Sequence, residues 1–65
     1  MSQWIKTETH HPVPLIDVLV VIDFDDDPFI DMGFQRANGD WFLTGSNPLV
    51  PIKPTHWMHL PELPK

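Results

Sequence analysis

The sequence predicts an all-β fold, and three of its features lead to this class. Eight prolines are spread over 65 residues, and proline disfavours helix both at its own position and at the residue before it. One proline-free stretch is rich in Val and Ile, which favour strands. Another contains an Asn-Gly pair, which is typical of a hairpin turn. Residues 1–65 are therefore expected to form a single small β domain, a three- to four-stranded antiparallel meander with extended proline-rich terminal segments.

The strands of this meander follow from alternating apolar positions and from the turns between them. Residues 17–24 are expected to form the first strand, because alternate positions there are all apolar. Residues 28–36 and 40–44 are expected to form the second and third. Residues 55–58 are the candidate fourth strand, and Trp4-Ile5 is a further candidate near the N-terminus.

The turns predict the register of these strands. Asn38-Gly39 is expected to form a two-residue type I′ hairpin turn. A three-residue loop at 25–27 is expected to pair Ile22 with Ile30, because a loop of even length would place Asp31 on the buried face. The expected buried face consists of Val18, Val20, Ile22, Ile30, Met32, Phe34, Trp41 and Leu43, covered by Trp4 and Trp57.

Composition and charge narrow the classes of function. The net charge is −5, and only four Lys and Arg residues are present, so direct binding to a nucleic-acid backbone is not expected. The longest apolar run, Val18 to Ile22, is far shorter than the roughly 20 residues that span a bilayer. The absence of cysteine fits a reducing compartment. A cytoplasmic protein whose partner has a basic surface is expected.

The C-terminal run Thr55-His56-Trp57-Met58-His59-Leu60-Pro61 resembles the closing motif Thr-His-Trp-Met-Pro-Leu-Pro of a family of small phage and prophage proteins, the domain of unknown function 551. Trp4-Ile5, Val18-Leu19-Val20 and Gly39-Asp40-Trp41 resemble earlier parts of the same pattern. His59 stands where that family usually has proline. The resemblance implies a small β protein made in the cytoplasm of a bacterial host, with no established catalytic residues and no cofactor.

Two groups of residues in the sequence could bind a metal ion. The four histidines could hold zinc, but residues 56 and 59 of one strand point to opposite faces, so surface histidines are favoured. The run Asp23-Phe24-Asp25-Asp26-Asp27 could hold a hard cation, but it lacks the spacing of a calcium loop, so a solvated turn or a protein contact is favoured. The histidines are His10, His11, His56 and His59.

No arrangement typical of an enzyme is visible. Cysteine is absent, Ser2 and Ser46 lie outside any nucleophile motif, and three glycines cannot supply a phosphate-binding loop. The three tryptophans could line a ligand pocket, but in so small a domain they are more often core. Neither catalytic nor metal-binding residues are assigned.

The expected function is therefore non-enzymatic: the protein binds, and inhibits or modulates, a host or phage protein such as a nucleic-acid-processing or defence complex. A structural or self-associating phage protein, with a homodimer possible in principle, is the alternative, and a small metal-dependent enzyme is a distant third. The predicted binding surface is the sheet face opposite the core, unless the C-terminal segment folds across it. Its residues are Asp17, Leu19, Val21, Asp23, Asp25, Asp26, Asp27, Asp31 and Phe42, with Gln35 on the same face.

Overall fold

The computed structural model describes residues 4–61, and within them it contains six strands and no helix. All strands are antiparallel and belong to one sheet, in the order β1-β6-β2-β3-β4-β5. The strands are β1 (Ile5–Lys6), β2 (Val18–Phe24), β3 (Asp27–Gln35), β4 (Trp41–Leu43), β5 (Pro51–Ile52) and β6 (His56–His59).

The predicted all-β antiparallel class is confirmed, and the sheet has more strands than the expected three or four. The additional strands come from the terminal segments. β6 lies beside β2 in the plane of the sheet, and β1 pairs with β6. Residues 56–59 of the C-terminal segment therefore lie within the sheet and do not fold across a face of the meander.

The sheet is strongly curled, because the link between β5 and β6 is short. Only residues 53–55 separate these strands, and such a link spans at most about 14 Å. In a flat sheet of this strand order, β5 and β6 would lie four strand spacings apart, about 19 Å. The curl also explains why Ile5 and Ile52, which lie on the two opposite edge strands, pack against the same core cluster.

The core fills the concave side of the sheet, which we call the inner face. Val18 and Val20 are fully buried there, and Trp41 and Trp57 are almost fully buried beside them. β3 contributes Gly33, the residue paired with Val18. A Cβ atom on Gly33 would lie 2.9 Å from the backbone oxygen of Phe42, so glycine permits the close approach of β3 and β4.

Residues 10–15 pack against this inner face from outside the sheet. The Nε1–H of Trp57 donates to the backbone oxygen of His10 at 3.0 Å. The backbone N–H of Leu15 donates to the backbone oxygen of Gln35 at 2.8 Å, and Pro12 is buried. The segment between β1 and β2 thus closes the core, which explains why Val18 and Val20 reach complete burial.

The predicted register between β2 and β3 is wrong by one residue. The turn has two residues, Asp25 and Asp26, with φ values of 52° and 61°, and Phe24 pairs with Asp27. Positive φ at both central positions is the type I′ geometry, which Asp tolerates better than most residues. Asp31 therefore lies on the inner-face side, opposite Val20. The structure accommodates it because Asp31 lies at the open edge of β3 and is exposed, although Val20 opposite it is fully buried.

The predicted type I′ turn at Asn38-Gly39 is also wrong. The Gly39 N–H donates to the Arg36 oxygen at 2.9 Å, and the Arg36 N–H donates to the Asp40 oxygen at 2.8 Å. Gly39 has a φ of 98°, whereas Asn38 is not among the residues with positive φ. This is the three-residue loop in which a type I turn is followed by a glycine bulge.

The two shifts together change the composition of the faces. Phe34 pairs with Phe42 instead of Leu43, and Met32 pairs with Leu19. Residues that pair directly lie on the same face of a sheet. Val18, Val20, Ile22, Trp41 and Leu43 thus lie on the inner face as predicted, whereas Ile30, Met32 and Phe34 lie on the opposite, convex face.

Candidate functional site

The convex side of the sheet, which we call the outer face, carries a continuous strip of apolar side chains. Leu19 pairs with Met32 on one side and with Met58 on the other. Val21 pairs with Ile30 on the β3 side. Ile30 is 61% exposed, and the other side chains of the strip are half-buried or exposed. The strip consists of Leu19, Val21, Ile30, Met32, Phe34, Phe42 and Met58.

Aromatic side chains and a cation form one end of the outer face. The rings of Phe34 and Phe42 lie 6.0 Å apart between centroids. The guanidinium carbon of Arg36 lies 4.7 Å from the centroid of the Phe42 ring, a distance at which a cation is attracted by the ring. Near the other side of the face, Trp4 lines a shallow depression of about 250 Å³ with Lys6, Val21 and His56.

The β2–β3 hairpin extends beyond the rest of the sheet. β6 pairs with β2 only as far as Val21, and β4 pairs with β3 only from Gly33 onward. Residues 22–24 and 27–29 therefore pair only with each other, whereas Ile30 and Asp31 pair with Val21 and Val20 of β2 and have no partner on the β4 side. We call residues 22–31 the hairpin arm. Within the part of the chain that the structure describes, no strand lies beside β3 on the side away from β2 along the arm, and residues 22–24 and 27–29 form a two-stranded hairpin.

The arm combines exposed apolar side chains with a high density of negative charge. Phe24, Phe29 and Ile30 are all exposed, with Phe24 reaching 68%. No Lys or Arg occurs between residues 22 and 31. Five exposed aspartates occur there, Asp23, Asp25, Asp26, Asp27 and Asp31.

The structure distributes the predicted binding residues over several parts of the molecule. Leu19, Val21, Asp23 and Phe42 lie on the outer face, as the strand alternation predicted. Asp25 and Asp26 form the turn of the arm. Asp27 and Asp31 lie on the inner-face side of the arm, so the prediction that Asp31 shares a face with Leu19 is wrong.

The remaining two residues of that prediction lie away from the strip. Asp17 precedes β2, and one of its carboxylate oxygens accepts a hydrogen bond from the Thr44 hydroxyl at 2.9 Å. Gln35 is only 3% exposed and belongs to the inner face, beside Trp41. The strip residues that the sequence did not indicate are Ile30, Met32, Phe34 and Met58. The signal that could have identified the first three is the ability of Asp25-Asp26 to form a type I′ turn.

A cleft of about 760 Å³ lies between β5 and the residues that follow β1. Its volume is within the range of ligand sites. The Nε2 of Gln35 donates to the Gly39 oxygen at 3.1 Å and contacts the Nδ1 of His11 at 2.9 Å. The residues that line the cleft are Thr7, Glu8, His11, Gln35, Gly39, Asp40, Trp41, Phe42, Pro51, Ile52, Lys53 and Pro54.

The histidines are dispersed over the molecule. His11 contacts Gln35, and the Nδ1 of His56 lies 2.9 Å from the Thr55 hydroxyl. The ring of His59 packs edge-on against Trp57 at 5.2 Å between centroids. Residues 4–61 contain no group of three or more His, Cys, Asp or Glu side chains placed to hold a metal ion. In the same residues, no helix has the length and apolar character needed to cross a membrane.

The comparisons with known proteins identify a family. A family model described as "Protein of unknown function (DUF551)" matches residues 3–65, which is nearly the whole chain. No curated protein and no solved structure matches this chain. The chain therefore belongs to the DUF551 family of proteins of unknown function.

Proposed function

We propose that this protein is a non-enzymatic phage or prophage accessory protein that binds a host or phage protein in the bacterial cytoplasm and inhibits or modulates it. The observation that carries the proposal is the apolar strip on the outer face, which continues into an exposed, acidic hairpin arm. Exposed apolar patches rimmed by charge are typical of protein-binding sites. The phage setting is supported by the resemblance of the closing motif at Thr55 to Met58.

The charge of the molecule supports a partner with a basic surface. Five carboxylates are concentrated on the arm, and the net charge of the chain is −5. Negative potential of this kind steers a basic partner into contact and repels nucleic acid. A nucleic-acid-processing enzyme or a defence complex is therefore the proposed target, since such proteins carry basic surfaces where nucleic acid binds.

A pair of matched variants tests this proposal. Ile30 and Val13 are equally exposed, at 61% each, but only Ile30 belongs to the outer-face strip. Ile30→Ser should weaken binding of the captured partner about tenfold or more, because it removes an apolar contact at the interface. Val13→Ser should bind like the unaltered protein. Both should keep the circular dichroism spectrum, since neither side chain is part of the core.

The experiment combines affinity capture from a bacterial host lysate, identification of the captured protein by mass spectrometry, and calorimetry with the purified pair. Equal binding by both variants would remove the outer face from the proposal. Association should also slow as salt is raised, because electrostatic steering is screened.

The second candidate is a self-associating protein that uses the same surface. The apolar strip favours it, because an outer face can pack against its own copy around a twofold axis. Size-exclusion chromatography with light scattering distinguishes the two. A dimer that Ile30→Ser dissociates and Val13→Ser does not would favour self-association over a foreign partner.

A further inference from the structure

We propose that the open edge of β3 in the hairpin arm accepts an extended strand from the partner, and that this strand carries basic residues facing Asp27 and Asp31. This inference rests on the proposed function, since it specifies how a protein partner is recognised. Addition of a strand to an open sheet edge is a general mode of peptide recognition, in which backbone hydrogen bonds supply affinity and alternate side chains supply specificity.

The direction of the backbone groups on β3 follows from two hydrogen bonds at its C-terminal end. The Met32 oxygen accepts from the Thr44 N–H at 2.9 Å, and the Arg36 N–H donates to the Asp40 oxygen at 2.8 Å. Even-numbered residues of β3 therefore direct their N–H and C=O groups away from β2. In the arm, the backbone groups of Pro28 and Ile30 point to the open edge.

The length of the docking edge is limited at both ends. Pro28 has no N–H group to donate. The Met32 N–H donates to the Oδ1 of Asp31 at 2.7 Å, and the Met32 oxygen is occupied by Thr44. The edge thus offers the N–H and C=O of Ile30 and the C=O of Pro28. A docked strand opposite residues 27–31 would use all of these groups.

The aspartates determine the chemistry of the strand. Asp27 and Asp31 lie on the same side of the arm, four residues apart. Residues directly across a strand pair interact, and opposite charges there are favourable whereas like charges are not. A partner strand with Lys or Arg at both ends, and with apolar residues facing Pro28 and Ile30, therefore matches this edge.

The same geometry disfavours a second copy of the chain as the added strand. Antiparallel pairing of two such edges would place Asp27 opposite Asp31 at both ends, so that like charges meet. It would also place Pro28 opposite Ile30, leaving the Ile30 oxygen without a donor. Pairing further along β3 is blocked at Met32, where Thr44 already occupies the edge.

A third strand would also stabilise the arm itself. A two-stranded hairpin is marginally stable in water, and three strands with an apolar face are much more stable. Phe29 and Ile30, both exposed in the arm, would be partly covered by side chains of the added strand. Binding and ordering of the arm are thus expected to occur together.

The test uses the full-length protein labelled with ¹⁵N and the acetylated, amidated peptide Lys-Val-Thr-Val-Lys. The peptide should shift the amide signals of Phe29, Ile30 and Asp31. Methylation of both valine nitrogens should weaken binding about tenfold, because it removes two backbone donors and keeps the charge. The peptide Glu-Val-Thr-Val-Glu should not bind.

Two double variants provide a matched control for charge. Asp27→Asn with Asp31→Asn should weaken binding of the lysine peptide more than Asp25→Asn with Asp26→Asn, although each pair removes two charges. If the methylated and unmethylated lysine peptides bind equally, charge attraction alone explains binding and the inference is overturned. The absence of amide shifts at Phe29 to Asp31 would also overturn it. Because the peptide titration needs no partner, it can fail while Ile30→Ser still abolishes capture, in which case only strand addition is rejected.

Discussion

Gly33 shows how a single residue sets the close packing of the inner face. A Cβ atom at this position would lie 2.9 Å from the Phe42 oxygen and 3.2 Å from the Cδ1 of Ile52. The first neighbour is backbone and cannot move aside without displacing β4. Because Gly33 also lies opposite Val18, a displacement of β4 would open the core.

Gly33→Ala is therefore expected to lower the free energy of unfolding by about 1–3 kcal/mol, as overpacking does in other cores. Gly39→Ala is the matched control, since nothing lies within 4 Å of a Cβ atom there. That control should cost only the positive-φ penalty, about 1 kcal/mol. Urea denaturation measures both, and a Gly33→Ala protein as stable as the unaltered one would contradict the close approach.

Gln35 shows a limit of sequence reasoning at the same scale. Alternation along β3 cannot distinguish a buried glutamine from a surface one, and glutamine is mostly exposed in proteins. Its burial depends on contacts with the Gly39 oxygen and with His11. The contact with His11 joins residues 24 positions apart in the chain, so no local pattern predicts it.

At the scale of elements, strand positions were predictable and strand register was not. Alternating Val and Ile identified β2, and the expected second and third strands match β3 and β4 to within a few residues. The expected register keeps Asp31 off the inner face, which is necessary only if that face is buried across its full width. In the structure Val20 is fully buried, whereas Asp31 beside it lies at the open edge of β3 and is exposed.

The Asp25-Asp26 turn leads to a prediction about the arm. Both residues have positive φ, which costs a non-glycine residue free energy. Asp26→Gly creates an Asp-Gly pair, one of the preferred type I′ sequences, and should stabilise the arm by up to about 1 kcal/mol. Hydrogen exchange of the β2–β3 amides measures this directly. Faster exchange in the variant than in the unaltered protein would contradict the turn assignment.

At the scale of the whole molecule, β1 and β6 lie close to the candidate strands expected at Trp4-Ile5 and 55–58, but the position of the short strands β1, β5 and β6 in the sheet is set by their pairing partners. Each is two to four residues long, too short for alternation to identify. β6 is held by long-range pairing with β2, and the Thr55 N–H donates to the Val21 oxygen at 2.9 Å. A sequence pattern reports local periodicity, so the placement of the C-terminal strand beside β2 could not be derived from it.

The open edges of the curled sheet share one property: each has at least one outward backbone group that is occupied or missing. On β1, the Lys6 oxygen accepts from the N–H groups of Thr9 and His10. On β5, Val50 bonds to Leu43, so Pro51 faces outward without a donor. On the arm, Pro28 has the same role. Natural β proteins protect edges in this way against pairing with their own copies.

This arrangement predicts that the protein is a monomer at micromolar concentration and that removing the protection of the arm produces a dimer. The triple variant Asp27→Thr, Pro28→Thr and Asp31→Thr restores the missing donor and removes both like-charge pairs. It also frees the Met32 N–H from Asp31. Light scattering across a concentration series should then show a monomer–dimer equilibrium.

The control is the double variant Asp27→Thr with Asp31→Thr, which retains Pro28. It should remain largely monomeric, because the Ile30 oxygen still lacks a partner in the paired edge. A triple variant that stays monomeric at every concentration would show that the arm edge cannot pair at all, and a dimer formed by the unaltered protein through this edge would show that Pro28 and the aspartates do not protect it.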